Sequence, residues 1–446
     1  MPQHQPKTSL AHARPYRTLL ASFAAWKLVL FAIVLGSTLV GDAYDTSAGL
    51  LLQGLGDGDG GGRLTGLGSA LVARLSSWDA IYYVSAARRG YRFEQEWAFG
   101  AGLPFVVRWL LRGLEYLGIA GSSPARGGAV PEALASIAVA NTAHLLSALV
   151  LYRLGQVVWR DQTLSLVAAL LHIISPAGLF LSAPYSESSC ALLSFSGYLL
   201  FALGCRAEGS PTRRDLYTIA AGAVLGAATA FRSNGLLNGA LFAWEVLRHL
   251  SSLPRRPADT LRRLVALGVG GVFVAAGSLG PQAAAYLHFC SGASGALPRP
   301  WCQGYLPSIF TFVQQHYWNV GFLRYWTLPN LPLFLLAAPM LAVLVKSGVE
   351  QLSGRHLPGA DEPAESARLL SLVQSAAAAQ VLLAVLAATT YHVQIITRIS
   401  SGYPLWHWWL AGRLVRGEKT GSRIVMFMVI YASIQGALFA SFLPPA

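Results

Sequence analysis

The apolar residues of this chain occur in long blocks, and this pattern restricts the fold more than any other feature of the sequence. A helix needs about 20 predominantly apolar residues to cross the hydrocarbon core of a bilayer. Only 12% of the 446 residues are charged, whereas soluble domains usually contain about 25%. The sequence therefore excludes an ordinary water-soluble enzyme and predicts an all-α, polytopic membrane protein.

About eleven segments are predicted to cross the membrane. A further apolar stretch, 101–119, carries Arg108, Arg112 and Glu115. Because charged side chains are costly in hydrocarbon, we expect this stretch to lie at the membrane interface instead. The predicted spans are 18–40, 132–152, 163–183, 187–205, 215–231, 234–249, 264–288, 330–348, 370–390, 402–415 and 424–443.

The distribution of basic residues predicts the orientation of these spans. The chain has 33 lysines and arginines and a net charge of +13, and cytoplasmic loops are enriched in these residues. We interpret residues 1–17 as a cytoplasmic tail and 18–446 as a single multi-pass domain. The opposite side then receives the first loop 41–130, with interfacial helices and a Gly/Asp-rich linker at 54–62, and the loop 289–329. It also receives the turns at 183–189, 232–234 and 392–398.

Two acids on that side are candidate functional residues. Asp79 follows Trp78 at the start of an aromatic segment that is typical of an interfacial helix. Its carboxylate either caps that helix or acts as a base that removes a hydroxyl proton at the membrane surface. Glu187 lies near the first turn of a helix that follows Pro184. It is either a helix-start residue favoured by the dipole or an acid that faces a polar cavity.

Two basic groups leave similar alternatives open. Arg232, in a short polar turn, either binds a phosphate through charge-assisted hydrogen bonds or extends to the lipid headgroups. His392, at a helix end, is either a proton carrier or an interfacial histidine with satisfied hydrogen bonds. These segments come from distant parts of the chain and share one membrane face. Jointly they indicate an enzyme that acts on lipid-linked substrates at the bilayer surface.

The cysteines are sparse. Cys290 and Cys302 share one non-cytoplasmic loop. On an oxidising face they form either a disulfide or two independent thiols. No spacing of cysteine and histidine resembles a zinc site, so no metal ligand is predicted.

Five segments of this sequence occur in one order: 78–83 with 90–99, then 175–187, 232–235, 300–302 and 392–398. In this order they resemble the GPI mannosyltransferase 2 family in its fungal form. The resemblance implies a GT-C-class glycosyltransferase of the endoplasmic reticulum membrane. Such an enzyme transfers the second mannose, in α-1,6 linkage, from dolichyl-phosphate-mannose to a mannosyl-glucosaminyl-phosphatidylinositol precursor. The resemblance further implies a lumenal active site and a small membrane partner subunit. We expect no cofactor besides the donor substrate, and no nucleic acid partner.

The resemblance also implies roles for individual residues. Asp79 matches the essential acid that GT-C enzymes tend to carry in the first lumenal loop. Arg232 and Arg398 are candidates for stabilising the leaving phosphate, with Arg88 and Arg89 as alternatives. Sugar contacts are expected from Glu187, Asn234 and His392. The remaining predicted substrate-binding residues are Trp78, Tyr82, Glu94, Glu96, Trp97, Tyr185, Trp301 and Gln394.

Three other interpretations compete with this one. A secondary transporter also has many helices, some of them broken. Its charges are expected in mid-helix positions with inverted repeats, whereas the polar groups here lie at helix ends and no repeat is visible. Another GT-C enzyme with a dolichol-linked donor would share the segment 78–83, and only the other four segments argue against it. A non-catalytic subunit of a glycosylation complex is disfavoured by the intact Asp79 and Glu187.

Overall fold

The computed structural model describes residues 14–41, 44–52, 66–119, 128–207, 209–250, 257–291, 299–353 and 363–441. Within these ranges the chain forms helices and no β-strand, which confirms the predicted all-α class. Most of the predicted N-terminal tail and the linker at 54–62 lie outside the described residues.

Seventeen α-helices follow one another in these ranges. The first part of the chain contains α1 Pro15–Val40, α2 Ser47–Leu51, α3 Leu67–Leu75, α4 Ala80–Arg89 and α5 Gly102–Tyr116. The middle part contains α6 Val130–Trp159, α7 Gln162–Ile173, α8 Glu187–Arg206, α9 Pro211–Phe231, α10 Ala240–Leu250 and α11 Pro257–Cys290. The last part contains α12 Ile309–Trp318, α13 Leu331–Leu352, α14 Pro363–Thr389, α15 Ile396–Ile399, α16 Pro404–Val415 and α17 Lys419–Ser441. Short 3₁₀ turns lie between several of them.

Seven of the described helices are long and apolar enough to cross a membrane, by length and composition: α1, α6, α8, α11, α13, α14 and α17. The chain is therefore a multi-pass membrane protein. The other four predicted spans overlap α7, α9, α10 and α16, but 174–183 and 234–239 lie outside these α-helices. Of these, α7, α10 and α16 are shorter than the roughly 20 residues that one straight crossing requires. The number of about eleven crossings stays a prediction.

Helix α5 corresponds to the stretch that the sequence assigns to the membrane interface. It has 15 residues, too few to span the hydrocarbon core. Leu103 and Val107 pack into the core, whereas Phe105 and Trp109 are 64% and 56% exposed. An apolar exposed face on a short helix is expected for a segment that lies in the plane of the membrane surface.

The packing of α8, α9 and α11 explains how distant polar residues meet. Glycines allow α9 and α11 to approach closely: a Cβ on Gly222 would lie 2.3 Å from Cα of Gly270, as is common where membrane helices pack. The consecutive helices α8 and α9 also pack together. Glu187 at the start of α8 and Arg232 just after α9 therefore lie at the same end of the bundle. The segment 390–399, after α14, reaches this end as well.

Candidate active site

A cavity of about 1200 Å³ opens at this end of the bundle. Its apolar walls come mainly from α12, α13 and α17, and its polar groups come from segments far apart in sequence. The structure thus brings together, in one lining, six of the residues that the sequence proposes for the site: Asp79, Arg232, Asn234, His392, Gln394 and Arg398.

Asp79 precedes α4 but does not cap it. Its backbone has φ −59° and ψ −20°, and its side chain accepts no capping hydrogen bond. The carboxylate is half-buried and lines the cavity. Burial raises the pKa of Asp79; Arg398, Arg232 and His392 oppose this effect and Glu187 adds to it. Of the two alternatives, the geometry disfavours the cap and leaves a carboxylate that is free to act on a substrate.

The orientation of Asp79 depends on an unusual backbone at Trp78. Trp78 has φ +59°, a left-handed conformation that costs a bulky residue of the order of 1–3 kcal/mol. Its N–H donates to Oδ2 of Asp45 at 2.6 Å, and its ring stacks on Tyr44 with 6.5 Å between centroids. Asp45 thereby stabilises the turn that presents Asp79. No local sequence pattern singles out Asp45, because it lies in a separate segment of the first loop.

Glu187 binds two arginines through one oxygen. Arg398 donates to Oε1 from Nε at 2.9 Å and from Nη2 at 2.7 Å, and Nη1 of Arg232 lies 2.7 Å from the same oxygen. The Glu187 side chain is fully buried, whereas both arginines line the cavity. The three groups carry a net charge of +1, and this excess positive charge faces the cavity.

Aromatic rings and a backbone contact hold the arginines in place. The Arg398 guanidinium lies 4.5 Å from the ring centroid of Phe180 and 4.8 Å from that of Tyr185, so cation–π attraction adds to the ion pair. Nε of Arg232 donates to Oδ1 of Asn234 at 3.3 Å. The main-chain carbonyl oxygen of Asn234 in turn accepts a hydrogen bond from the hydroxyl of Tyr403 at 2.9 Å. The sequence does not predict this contact.

His392 and Gln394 contribute neutral groups to the lining. Nε2 of His392 lies 3.3 Å from the carbonyl oxygen of Trp318, and because a carbonyl only accepts, Nε2 carries the proton and Nδ1 is the acceptor. Burial lowers the pKa of His392, which favours this neutral form. Gln394 also lines the cavity, and its buried Oε1 atom has no hydrogen-bond partner among the described residues.

Several other predicted substrate-binding residues contact one another outside the cavity lining. Arg89 and Glu96 form an ion pair. Oε2 of Glu96 also accepts hydrogen bonds from the backbone N–H groups of Arg92 at 2.6 Å and Phe93 at 3.1 Å. Arg88 is exposed on α4. These contacts shape the loop after α4, which continues to Phe99 at the cavity wall.

A second group of contacts ties the first loop to the loop before α12. The Glu94 carboxylate accepts hydrogen bonds from Nε1 of Trp301 at 2.9 Å and from the hydroxyl of Tyr317 at 3.3 Å. Trp301 is 6% exposed and Trp97 packs against its cluster. Cys302, the next residue, forms a disulfide with Cys290, with a Cα–Cα distance of 5.6 Å. The covalent link fixes this loop to the end of α11.

Tyr82 and Tyr185 lie behind the cavity wall. The Tyr82 ring stacks on Phe99 at 4.5 Å, and Tyr185 is completely buried beneath Arg398. Lining residues that the sequence analysis misses include Tyr83, whose pKa is raised by burial to about 12, and the polar side chains of Gln314 and Gln315. The glutamines lie on an amphipathic α12 whose Ile309 and Val313 are buried; that periodicity is the signal from which they are recognisable.

Within the described ranges, no group of three or more His, Cys, Asp or Glu residues has an arrangement that would hold a metal ion. The polar chemistry of the cavity described above consists of one free carboxylate, a pair of clamped arginines and neutral hydrogen-bonding groups.

A half-buried carboxylate opposite paired guanidiniums, in a cavity with apolar walls, makes this multi-pass membrane protein a candidate for group transfer between lipid-linked substrates. The comparison with known families is specific: the model described as Mannosyltransferase (PIG-V) matches residues 27–446. The chain belongs to this family and is therefore a glycosyltransferase of the mannosyltransferase type.

Three fungal relatives illustrate the similarity, and each is named GPI mannosyltransferase 2. The protein from Chaetomium globosum is 78% identical, with 100% of both chains covered. Those from Gibberella zeae and Aspergillus oryzae are 44% and 41% identical, covering 97% of this chain and 98% and 96% of theirs. Among solved structures, the Archaeoglobus fulgidus oligosaccharyltransferase aligns with a TM-score of 0.42 and 14% identity, over 82% of this chain and 51% of that one. This chain thus spans about half of that structure.

Proposed function

We propose that this mannosyltransferase adds the second mannose, in α-1,6 linkage, to the growing GPI-anchor precursor. The donor is dolichyl-phosphate-mannose and the acceptor is the mannosyl-glucosaminyl-phosphatidylinositol lipid. The observation that carries the proposal is the placement of Asp79 and the Arg232–Arg398 pair in one cavity with apolar walls. The family membership and the name shared by the fungal relatives support it.

The proposed reaction is a single displacement with inversion. Asp79 accepts the proton of the acceptor's 6-hydroxyl while that oxygen attacks the anomeric carbon of the donor mannose. The bond from this carbon to the phosphate oxygen breaks, and dolichyl phosphate leaves with the bonding electron pair. Because the donor is β-linked, inversion gives the α product. The raised pKa of Asp79 favours this role, since a more basic carboxylate accepts a proton more readily.

Arg398 and Arg232 stabilise the leaving phosphate in this mechanism. Their guanidiniums are held at one end by Glu187 and remain in the cavity lining, so that little reorganisation is needed when negative charge develops. Glu187 is covered by the arginines and its side chain is fully buried. We therefore assign it the role of a positioning residue in place of the sugar contact expected from the sequence.

The neutral polar groups of the lining are proposed to contact the two sugars. Asn234, His392 and Gln394 present amide and imidazole groups, and Gln314 and Gln315 add further amides from α12. Such groups supply both donors and acceptors for sugar hydroxyls. Trp78, Tyr82, Arg88, Arg89, Glu94, Glu96, Trp97, Tyr185 and Trp301 are proposed to act through the shape of the surrounding loops.

The proposal includes a membrane arrangement. Residues 18–446 form one GT-C-like domain with about eleven crossings, and residues 1–17 are its cytoplasmic tail. The loops 41–130 and 289–329 lie on the lumenal side of the endoplasmic reticulum membrane. The helix bounds and the interfacial character of α5 support this arrangement. A small membrane subunit is proposed as a partner by resemblance to fungal relatives.

Complementation tests the proposed reaction. Cells that lack transfer of the second GPI mannose accumulate a precursor with a single mannose, and expression of this chain is expected to remove it. Asp79→Asn is the matched inactive control, because it keeps the size of the side chain but cannot accept the proton. Persistence of the one-mannose precursor with the abundant wild-type chain would refute the assignment.

A further inference from the structure

The cavity has one apolar side that the transfer mechanism leaves unused. Helix α17 lines it with Phe427, Ile430, Ile434 and Leu438, which we call the α17 face. Their spacing of three or four residues places them on a single side of the helix. Over these positions the helix rises about 16 Å. Ile430 is 50% exposed and Ile434 is 56% exposed, so the face is open towards the surroundings of the bundle.

The α17 face is continuous with the arginine pair. Tyr431, on the same helix, has its hydroxyl 3.4 Å from Oγ1 of Thr397, the residue before Arg398. Ile395 and Ile399 flank this position and also line the cavity. Leu333 and Leu336 of α13 add further apolar lining. An anion bound by Arg398 would therefore have an apolar surface directly beside it.

The other side of the cavity differs in chemistry. Helix α12 contributes Thr311, Gln314 and Gln315 to the lining together with the aromatic rings of Phe310 and Trp318. A sugar chain needs hydrogen-bond donors and acceptors, which this side offers. An isoprenoid chain has no polar group and gains only from packing against apolar side chains. The mixed polar and aromatic α12 side therefore suits a glycan. The α17 side, which is mainly aliphatic although Tyr431 and Gln435 also line it, suits a hydrocarbon chain.

We propose that the isoprenoid chain of the donor lies along the α17 face, between α17 and α13, with its phosphate on Arg398 and Arg232. The inference rests on the proposed function and adds the path of the donor lipid. The donor is the substrate that joins a phosphate at the reacting centre to a single methyl-branched isoprenoid chain. Its first isoprene units must therefore leave the arginine pair along an apolar surface, which the α17 face provides. The mannosyl acceptor approaches from the α12 side.

The test measures mannose transfer by the full chain, reconstituted in lipid, with two donors. One carries the full dolichyl chain and the other a chain of two isoprene units. Ile434→Trp fills the α17 face, and Ile434→Gln makes it polar with little change in volume. Val272→Trp is the control, because Val272 is 68% exposed on α11 and is absent from the cavity lining.

Both Ile434 variants are expected to raise the KM for the dolichyl donor by about ten-fold with kcat retained, as expected when binding common to ground and transition states is lost. The short-chain donor, which hardly extends along the face, is expected to lose much less, and its turnover also shows that the variants are folded. The proposal is overturned if the KM for the acceptor rises instead, if the KM values for both donors rise equally, or if Val272→Trp has the same effect as the Ile434 variants. Absence of transfer by the wild type with either donor would instead refute the proposed function.

Discussion

Arg398 and Glu187, 211 positions apart in the chain, are joined by two hydrogen bonds to the same carboxylate oxygen, at 2.9 Å and 2.7 Å. The other oxygen, Oε2, is buried without a hydrogen-bond partner in the part of the chain that the structure describes. One carboxylate carries a single negative charge, so it does not neutralise both Arg398 and Arg232. It aligns them and leaves positive charge for a phosphate.

This relationship predicts the effect of Glu187→Gln. The amide keeps the shape of the side chain but removes the charge that attracts Arg398 and Arg232. Breaking a buried ion pair costs several kcal/mol, so we expect less protein. Mannose transfer per folded molecule is expected to fall by about 10²-fold, comparable to the loss of a preorganised donor. The measurement is kcat and KM with purified protein.

Asp215→Asn is the matched control. Asp215 is also buried and accepts hydrogen bonds from Arg214 at 3.0 Å and Arg262 at 2.7 Å, but it lies near the start of α9, away from the cavity. This variant is expected to lower abundance while transfer per folded molecule stays near that of the wild type. Equal losses of kcat in both variants would mean that Glu187 contributes only to stability.

The pH dependence of transfer tests the role of Asp79. Burial raises the pKa of Asp79, and only the carboxylate form accepts the acceptor's proton. Activity is therefore expected to be lost as pH falls through a value above the usual aspartate pKa of about 3.9. The acid limb of kcat/KM against pH reports this group in the free enzyme.

The charge of Arg398 predicts the direction in which the pKa of Asp79 moves when this arginine is replaced. The positive charge of Arg398 lowers the pKa of Asp79, so Arg398→Gln is expected to move the acid limb of the residual activity to higher pH. A limb that stays in place in this variant, or moves to lower pH, would assign the titration to a different group.

The sequence predicts the class of fold and the convergence of the site better than it predicts individual roles. Apolar blocks identify helices because the bilayer leaves few alternatives, and every predicted span overlaps an α-helix, although 174–183 and 234–239 lie outside α7 and α10. Polar residues at helix ends point to one face of the membrane, and Asp79, Arg232 and Arg398 do share a cavity. What the patterns do not contain is which polar residues pair with one another.

Glu94 and Trp301 show this limit clearly. Both belong to segments that the resemblance marks as substrate-binding, yet Trp301 Nε1 donates to Glu94 at 2.9 Å, across 207 positions of sequence. The sequence motif looks the same whether a residue maintains the shape of a loop or contacts a substrate. Only the pairing in three dimensions distinguishes them.

Trp301→Phe tests the structural role of this pair. The substitution keeps an aromatic ring in the buried cluster and removes the donor to Glu94. Loss of a hydrogen bond to a charged group costs about 1.5–3 kcal/mol, so we expect faster proteolysis of the loop before α12. Turnover of the remaining folded enzyme is expected to change little, with KM for donor and acceptor within two-fold of the wild type. A large rise in either KM would restore Trp301 as a direct substrate contact.

Gly100→Ala is expected to separate the first loop from the arginine pair. A Cβ at Gly100 would lie 1.9 Å from the carbonyl oxygen of Phe231, the residue before Arg232, and a backbone atom cannot yield as a flexible side chain does. The loop must therefore shift, and Phe99 moves away from the turn at Arg232. Because a misplacement of about 1 Å can lower a rate by about 10²-fold, we expect a loss of mannose transfer of this size. Gly113→Ala, on α5 with no atom within 4 Å of the new Cβ, is the control and should retain full activity. Transfer assays on both purified variants decide the matter: an active Gly100→Ala enzyme would show that the contact between this loop and Phe231 does not set the geometry of the site.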